Sequence, residues 1–394
     1  MLSLYMLMVA VNQLLWITFA PITGDATVFY GVSDLKIGIL SMSFMIVYVA
    51  VSIPASWIID KYGIRIGVGT GALFTGVFGL IRGFAGSDYH ILLLAQTGIA
   101  IGQPFILNAI TKFAARWFPL EERATAAGLG TLAMYIGILA GMTLTPYLVI
   151  GYGINDMLYI YGTIAITTSI VFIVLIRESP PSAPCRPDQE ERSLVFDGFR
   201  NTLRARDFVW LMIIFFIGLG VFNSVTTWIE DILRPRGFTA TQAGMTGGVM
   251  ILGGIAGAII IPLLSDRNKK RTPYIIIALL GATIGLTGIT FATNYFLLLA
   301  SGMAMGFFLL SAGPIGFQYG AEITYPASEG TSNGMLLMMG QISGIAFIFG
   351  MDSFKDPGTG SMTRSLVLLI GLMIISILMS LTLKESLILT NSDK

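Results

Sequence analysis

Charge is what this sequence has least of. Lys, Arg, Asp and Glu make up 11% of its 394 residues, against about 25% in ordinary soluble domains. With 55% hydrophobic residues and a mean hydropathy of +0.80, a water-soluble fold has no way to hide the apolar surface, and that class is excluded. A net charge of +1 supplies no long-range attraction for nucleic acid, so none is expected as a partner. Cysteine is reduced to Cys185, in the most polar segment, which rules out an intrachain disulfide. Histidine is reduced to His90. No metal-ligand cluster and no nucleophile with a base partner stands out, so neither a metal, a cofactor nor an enzymatic reaction is expected. No basic leader or small-residue cleavage site precedes the first apolar stretch, which is read as a retained helix.

What the chain does hold is apolar length. Stretches such as 37–59, 66–81, 91–110 and 366–383 recur from end to end, and about 20 such residues cross a hydrocarbon core of about 30 Å as a helix. Hydropathy and breakers predict spans at 2–23, 36–59, 64–84, 90–114, 122–150, 155–177, 207–233, 240–265, 272–291, 294–321, 329–351 and 362–384. One long polar interruption, between Arg177 and Asp207, carries Pro180, Pro181, Pro184 and Pro187 and then a run of charge. It divides a six-helix bundle, 1–177, from a second, 207–394, across a cytoplasmic loop, 178–206, whose residues 196–208 have the pattern of an amphipathic surface helix.

Orientation follows from the basic residues. With both termini inside, Lys61, Arg65, Lys112, Arg116, Arg123, Arg267, Lys269, Lys270, Arg271 and the central-loop arginines are cytoplasmic. Only Lys36, Arg82, Arg234, Arg236, Lys355 and Arg364 then lie outside. The expectation is an all-α membrane protein with twelve transmembrane helices, N-in and C-in, monomeric in the lipid bilayer. Short tails and loops suggest the plasma membrane of a prokaryote.

An internal repeat supports the division. Phe118-Pro119-Leu120-Glu121-Glu122 is echoed by Tyr325-Pro326-Ala327-Ser328-Glu329 at one offset, and the acidic turn at Asp60 is echoed at Asp266. Two such halves, related by an axis along the membrane normal, are expected to enclose a central cavity.

Between the second and third spans, Ser56-Trp57-Ile58-Ile59-Asp60-Lys61-Tyr62-Gly63-Ile64-Arg65 resembles the major facilitator signature. A carboxylate there can bond a helix N-terminus or an arginine in one conformation and release it in another. Asp60 and Arg65 are the gate candidates, with Asp266 and Arg267 as second-half counterparts, although Asn268-Lys269-Lys270-Arg271 departs from the signature. The plain alternative is positive-inside anchoring.

Ionisable groups inside a membrane usually mark proton relays or ion sites. The first six spans show none at mid-bilayer, Glu230 and Asp231 lie at the outer end of the seventh, and Glu322 lies at the inner end of the tenth. Gln96 stands where many proton-coupled major facilitator members carry arginine. Gly137 and Gly141 are followed by Met142, so the Gly-Pro element of drug/proton antiporters is missing from the fifth span. Uncoupled, facilitated transport is expected. A proton-coupled exporter of a hydrophobic compound or organic anion, using Glu230 or Asp231, is the alternative, and a non-transporting receptor on the same fold is a third class.

Trp16, Gln103 and Gln341 fall at mid-span depths of roughly 15–20 Å at about 1.5 Å per residue. A Trp face can hold an organic cation, and Gln amides can bond a hydroxyl without imposing charge. Helix packing for the Trp and interhelical hydrogen bonds for the glutamines are the plain alternatives. Phe29-Tyr30-Gly31-Val32-Ser33, Leu40-Ser41-Met42, Pro54-Ala55-Ser56-Trp57, Gln103-Pro104-Phe105-Ile106-Leu107, Trp117-Phe118 and the run from Ala321 through Glu322-Ile323-Thr324-Tyr325-Pro326 to Ser332 resemble the feline leukaemia virus subgroup C receptor-related family. That resemblance implies a facilitator of choline or ethanolamine, with haem export as the older proposal. It puts Trp16 on the family's ligand-stacking tryptophan, and Gln103 and Gln341 on its ligand-contacting glutamines. One departure stands out: Asn223, the repeat-mate of Trp16, replaces a cage tyrosine. Haem ligation is disfavoured because His90 is placed at an outer mouth, Cys185 in a loop and the 20 methionines among packing positions.

Overall fold

A membrane-spanning helix has no water to satisfy its backbone, so wherever it stops or bends another group must supply the missing hydrogen bonds. The computed structural model describes residues 1–119, 122–180, 205–324 and 329–385. Cys185, residues 196–204 and the turn 325–328 lie outside the described residues. The chain divides into two compact units, Met1–Arg192 and Ser193–Lys394.

The first unit contains α1 (Leu2–Ile17), α2 (Thr23–Tyr30), α3 (Asp34–Gly83), α4 (Tyr89–Leu107), α5 (Ile110–Trp117) and α6 (Arg123–Leu175). The second contains α7 (Arg206–Thr227), α8 (Ile229–Leu233), α9 (Ala240–Arg267), α10 (Thr272–Phe291), α11 (Tyr295–Thr324), α12 (Glu329–Ser353) and α13 (Thr363–Ser380). Ten segments of the described residues are long and apolar enough to cross a membrane, two of them at 50 and 51 residues. Those two are α3 and α6, and each breaks at a glycine: Gly63 at φ 88°, ψ 177° and Gly153 at φ 83°, ψ 170°. Only glycine enters that backbone region without strain. Divided there, each is two membrane-length rods.

The spans are less continuous than hydropathy suggests. The stretch predicted as one helix over 2–23 ends at Ile17, passes through a 3₁₀ turn at Ala20–Ile22, and resumes as α2. Pro21 is the cause: it has no N–H to give the Ile17 carbonyl, and its ring crowds the preceding turn. The stretch 90–114 breaks between α4 and α5, and 207–233 breaks at Trp228.

Within the first unit α1 lies along α6, and α3 along both α4 and α6. Close approach rests on small residues. A side chain on Gly137 would strike the Ala10 backbone, and a Cβ on Gly141 would stand 3.1 Å from the Leu14 carbonyl. In the second unit α9 and α10 pack on α11, and α7 packs on α12.

A carboxylate beyond the last span of each unit closes the start of that unit's third span. Glu178 accepts from the Ile64 and Arg65 amides at 3.1 and 2.8 Å, covering the helix start that Gly63 exposes. Glu385 accepts from the Arg271 amide and the Thr272 hydroxyl, both at 2.6 Å. Glu385 follows Glu178 by 207 residues, the interval that also separates Asn223 from Trp16 and Tyr325 from Phe118. The units differ at the turn itself, where the second has no glycine and places Lys269 at φ 51° instead.

Any side chain at Gly63 strains the backbone and meets the Glu178 carboxylate, whose nearest oxygen would lie 2.6 Å or less away. Gly63→Ala is expected to cost about 1–3 kcal/mol, and Glu178→Ala about 1 kcal/mol for the lost cap. Thermal unfolding of the purified protein in detergent measures both; an unchanged midpoint for Gly63→Ala rejects this account of the break.

Candidate functional site

Trp16 is equidistant in sequence from the ends of the segment Leu2–Tyr30. Gln103 holds the same position in the stretch covered by α4 and α5, and Gln341 in α12. In the first unit, Trp16 is buried and its indole N–H donates to the Ser41 carbonyl at 3.2 Å, which fixes the ring against α3. Gln103 is buried one residue beyond Gly102, where a Cβ would sit 2.6 Å from the Gly71 carbonyl. Its amide has no hydrogen-bond partner among the described residues. Around this level lies a polar seam in which Asn12 donates to the Thr75 hydroxyl at 3.1 Å and Gln13 to the Asn12 side-chain oxygen at 3.2 Å.

In the second unit, Asn223 is buried on α7 and donates to the Gly340 carbonyl at 3.1 Å. The next residue is Gln341, half-buried and likewise without a hydrogen bond among the described residues. Asn223 and Gln341 are thus brought to one level of their unit. Glu230 and Asp231 are buried on α8, not open at a helix end. Arg234 reaches Glu230 at 3.2 Å and Asp231 at 2.5 Å, and Lys355 reaches Asp231 at 3.1 Å. Two cations therefore face two carboxylates.

The gate candidates sit at the span ends, and their partners are not those the signature suggests. Asp60 is exposed and pairs with Lys112 at 3.0 Å. The Arg65 side chain is exposed, and its backbone N–H serves Glu178. The carboxylate that meets a helix start is accordingly Glu178, not Asp60. Asp266 is exposed and pairs with Arg271, while Arg267 is exposed with no ion pair among the described residues.

Two arginines make buried contacts that the sequence did not show. Arg271, assigned to a cytoplasmic loop, is buried and bonds Glu322 at 3.0 Å and the Ser265 hydroxyl at 3.2 Å. Arg82, counted as outside at the end of the predicted span 64–84, is fully buried, with the Leu15 carbonyl and the Gln96 side-chain carbonyl each 2.9 Å from Nη1. The first unit therefore does carry an interior charge. Two sequence signals pointed this way: an arginine at the end of an apolar span with no polar run after it, and the Asn12-Gln13 pair inside one.

Apolar spans that enclose a few buried polar side chains at mid-depth define a multi-pass membrane carrier. Residues 1–348 match the description of the Major Facilitator Superfamily, and the chain belongs to that family. It is 31% identical over 364 residues to solute carrier family 49 member A3 of Xenopus tropicalis, covering 88% of this chain and 75% of that one. It is 30% identical to the choline/ethanolamine transporter FLVCR1 of Felis catus (96% and 71% covered) and 27% identical to human FLVCR2, also a choline/ethanolamine transporter (88% and 69%). These relatives are animal proteins and lend no support to a prokaryotic origin. Among solved structures, a bacterial homologue of the lysosomal transporter Spinster matches with a TM-score of 0.75 at 16% identity, covering 97% and 96% of the two chains. The nucleoside transporter NupG matches at 0.71 and 14% identity, covering 97% and 100%. At these identities the likeness is one of fold.

Removing Arg271 leaves Glu322 buried and unpaired, so Arg271→Ala is expected to destabilise the protein by about 3–5 kcal/mol. Asp266 is an exposed partner of the same arginine, and Asp266→Asn is expected to cost less than about 1 kcal/mol. Parallel thermal denaturation of the two variants tests the ranking, and equal losses contradict it.

Proposed function

We propose that this protein is a facilitative uniporter for a small polar organic solute of the choline or ethanolamine type, working by alternating access in the plasma membrane as a monomer. The observation that carries this reading is the set of mid-span side chains. Trp16 offers a fixed aromatic face, while Gln103 and Gln341 have amides that no described residue engages. A desolvated ammonium over an indole is worth up to about 2 kcal/mol. An amide that bonds a hydroxyl adds about 1 kcal/mol. The two relatives named choline/ethanolamine transporters support the same solute class. Asn223 replaces an aromatic wall with an amide, which favours a primary ammonium or a hydroxyl over a fully methylated cation.

Six crossings in each of 1–177 and 207–394, joined by a cytoplasmic 178–206 with both termini inside, complete the reading. Asp60 with Arg65, and Asp266 with Arg267, then lie at the cytoplasmic ends, where the pairs Asp60–Lys112 and Asp266–Arg271 exchange partners as the carrier cycles. Uncoupled transport fits the interior charges. Arg82 does not release a proton at physiological pH, and Arg234 and Lys355 stabilise Glu230 and Asp231 as carboxylates.

A second reading, a proton-coupled exporter of a hydrophobic compound or organic anion, draws on the complete burial of Asp231. It requires a pH gradient to drive flux and Asp231→Asn to uncouple it.

Purified protein in liposomes is expected to take up choline or ethanolamine saturably, without response to a pH gradient. Trp16→Ala should lower uptake at least tenfold, and Gln103→Ala or Gln341→Ala should raise the half-saturation concentration about fivefold, near 1 kcal/mol. Absence of flux for both solutes, or full activity in Trp16→Ala, refutes the proposal. Asn223→Tyr is expected to shift preference toward choline over ethanolamine in the same assay.

A further inference from the structure

The first span breaks one residue past Trp16, and the break is sealed by Thr18 at the break itself and by side chains from two other places in the chain. A helix that stops leaves its last carbonyls without amide partners, and inside a bilayer each unsatisfied group costs several kcal/mol. α1 stops at Ile17. The Leu15 carbonyl accepts from Arg82 Nη1 at 2.9 Å, Gln96 Nε2 at 3.3 Å and the Thr18 hydroxyl at 3.2 Å. Thr18 also serves the Leu14 carbonyl at 2.9 Å. Arg82 ties the cluster together, donating to Gln96 Oε1 at 2.9 Å and to Thr18 Oγ1 at 3.3 Å, with its guanidinium carbon 5.9 Å from the centre of the Phe19 ring.

Arg82 is fully buried and has no carboxylate within ion-pair distance among the described residues. Its counter-charge is the helix end itself, since the carbonyls at the close of α1 carry the negative pole of the helix dipole, about half an elementary charge. Lysine does not substitute freely, because one planar guanidinium reaches a carbonyl, an amide and a hydroxyl at once.

The second unit supplies an internal comparison. At the interval of 207 residues, Leu15, Thr18, Arg82 and Gln96 correspond to Phe222, Val225, Ile289 and Met303. None of those four side chains donates a hydrogen bond. There α7 continues to Thr227, three residues beyond the counterpart of Ile17. The repeat architecture therefore does not need the clamp, which occurs in the unit that carries tryptophan and not in the one that carries Asn223.

We infer that Arg82 is a positioning residue for ligand recognition. Its clamp on Leu15 holds the backbone from which Trp16 projects, while the Trp16–Ser41 bond holds the ring, and the two together fix the indole face in one orientation. The inference rests on the reading of Trp16 as a ligand wall and assigns Arg82 no contact with the solute.

The test uses the full chain labelled with 5-fluorotryptophan. It has five tryptophans, and the Trp16 fluorine resonance is identified by its loss in Trp16→Phe. Arg82→Gln should shift or broaden that resonance and leave the other four in place, with Arg82→Lys recovering part of the native position. In liposomes, Arg82→Gln should raise the half-saturation concentration for choline at least tenfold with the maximal rate within twofold. In the Trp16→Phe background, where the ring has already lost its Ser41 bond, the same substitution should add less than twofold. Gln96→Leu, which removes one donor and keeps the charge, gives a smaller fluorine shift of the same kind and serves if Arg82→Gln does not fold. An undisturbed Trp16 resonance in both variants, or an equal loss of affinity in the two backgrounds, overturns the inference. If the wild-type protein moves neither choline nor ethanolamine, the transport proposal fails while the fluorine spectra still decide the clamp.

Discussion

The breaks at Gly63 and past Ile17 and the helix start at Thr272 are each answered by side chains that satisfy the backbone they expose, and Trp16 lies beside one of them. The break at Gly63 is covered by Glu178, and the matching start at Thr272 by Glu385. Where α4 gives way to α5, Tyr5 donates to the Ile106 carbonyl at 2.5 Å. Asn108 there donates to the Ser52 and Ser56 hydroxyls and accepts from Tyr48 at 2.7 Å. In water such breaks would be solvated at little expense; in hydrocarbon they need dedicated partners. The polar residues of an otherwise apolar sequence are therefore concentrated where the chain bends.

This constraint separates two uses of interior polarity. One group is spent on the chain itself, at or beside the helix ends: Arg82 and Gln96 at Leu15, Asn108 at Ser52 and Ser56, Glu385 at Arg271. The other group, Gln103 and Gln341, is mid-span and spends no hydrogen bond on the described chain. A mid-span amide that no protein group engages is left to bond something else, which is the property expected of a group that meets a polar solute. The proposal for function draws on that contrast more than on any single residue.

The sequence conveyed the parts of this fold that depend on hydrophobic length and periodicity. The apolar spans, the repeat and the mid-span places of Trp16, Gln103 and Gln341 were legible because each is a local pattern or a fixed interval. The breaks were not, with Pro21 the exception that could have been read. Whether Gly63 bends the chain or merely packs is decided by Glu178, more than a hundred residues away. The burial of Arg82 and Arg271 was illegible for the same reason, since an arginine at a span end looks like a loop anchor until the carbonyl or carboxylate it reaches is known. The cap on the helix start beside Asp60 was illegible for the same reason, since it comes from Glu178 at the far end of the same unit.

The contact of Gly137 and Gly141 with α1 bears on the thermodynamics of recognition. On either side of Trp16 in sequence, Ala10, Leu14 and Ile17 of the first span lie against the bare main chain of Gly137 and Gly141, which present no side chain of their own. A wall built this way has few rotamers to freeze when a solute arrives, so the entropic penalty of ordering the site is met during folding. A carrier must release what it binds on every cycle, and a stiff wall lets weak contacts discriminate between solutes without tightening the complex into a trap.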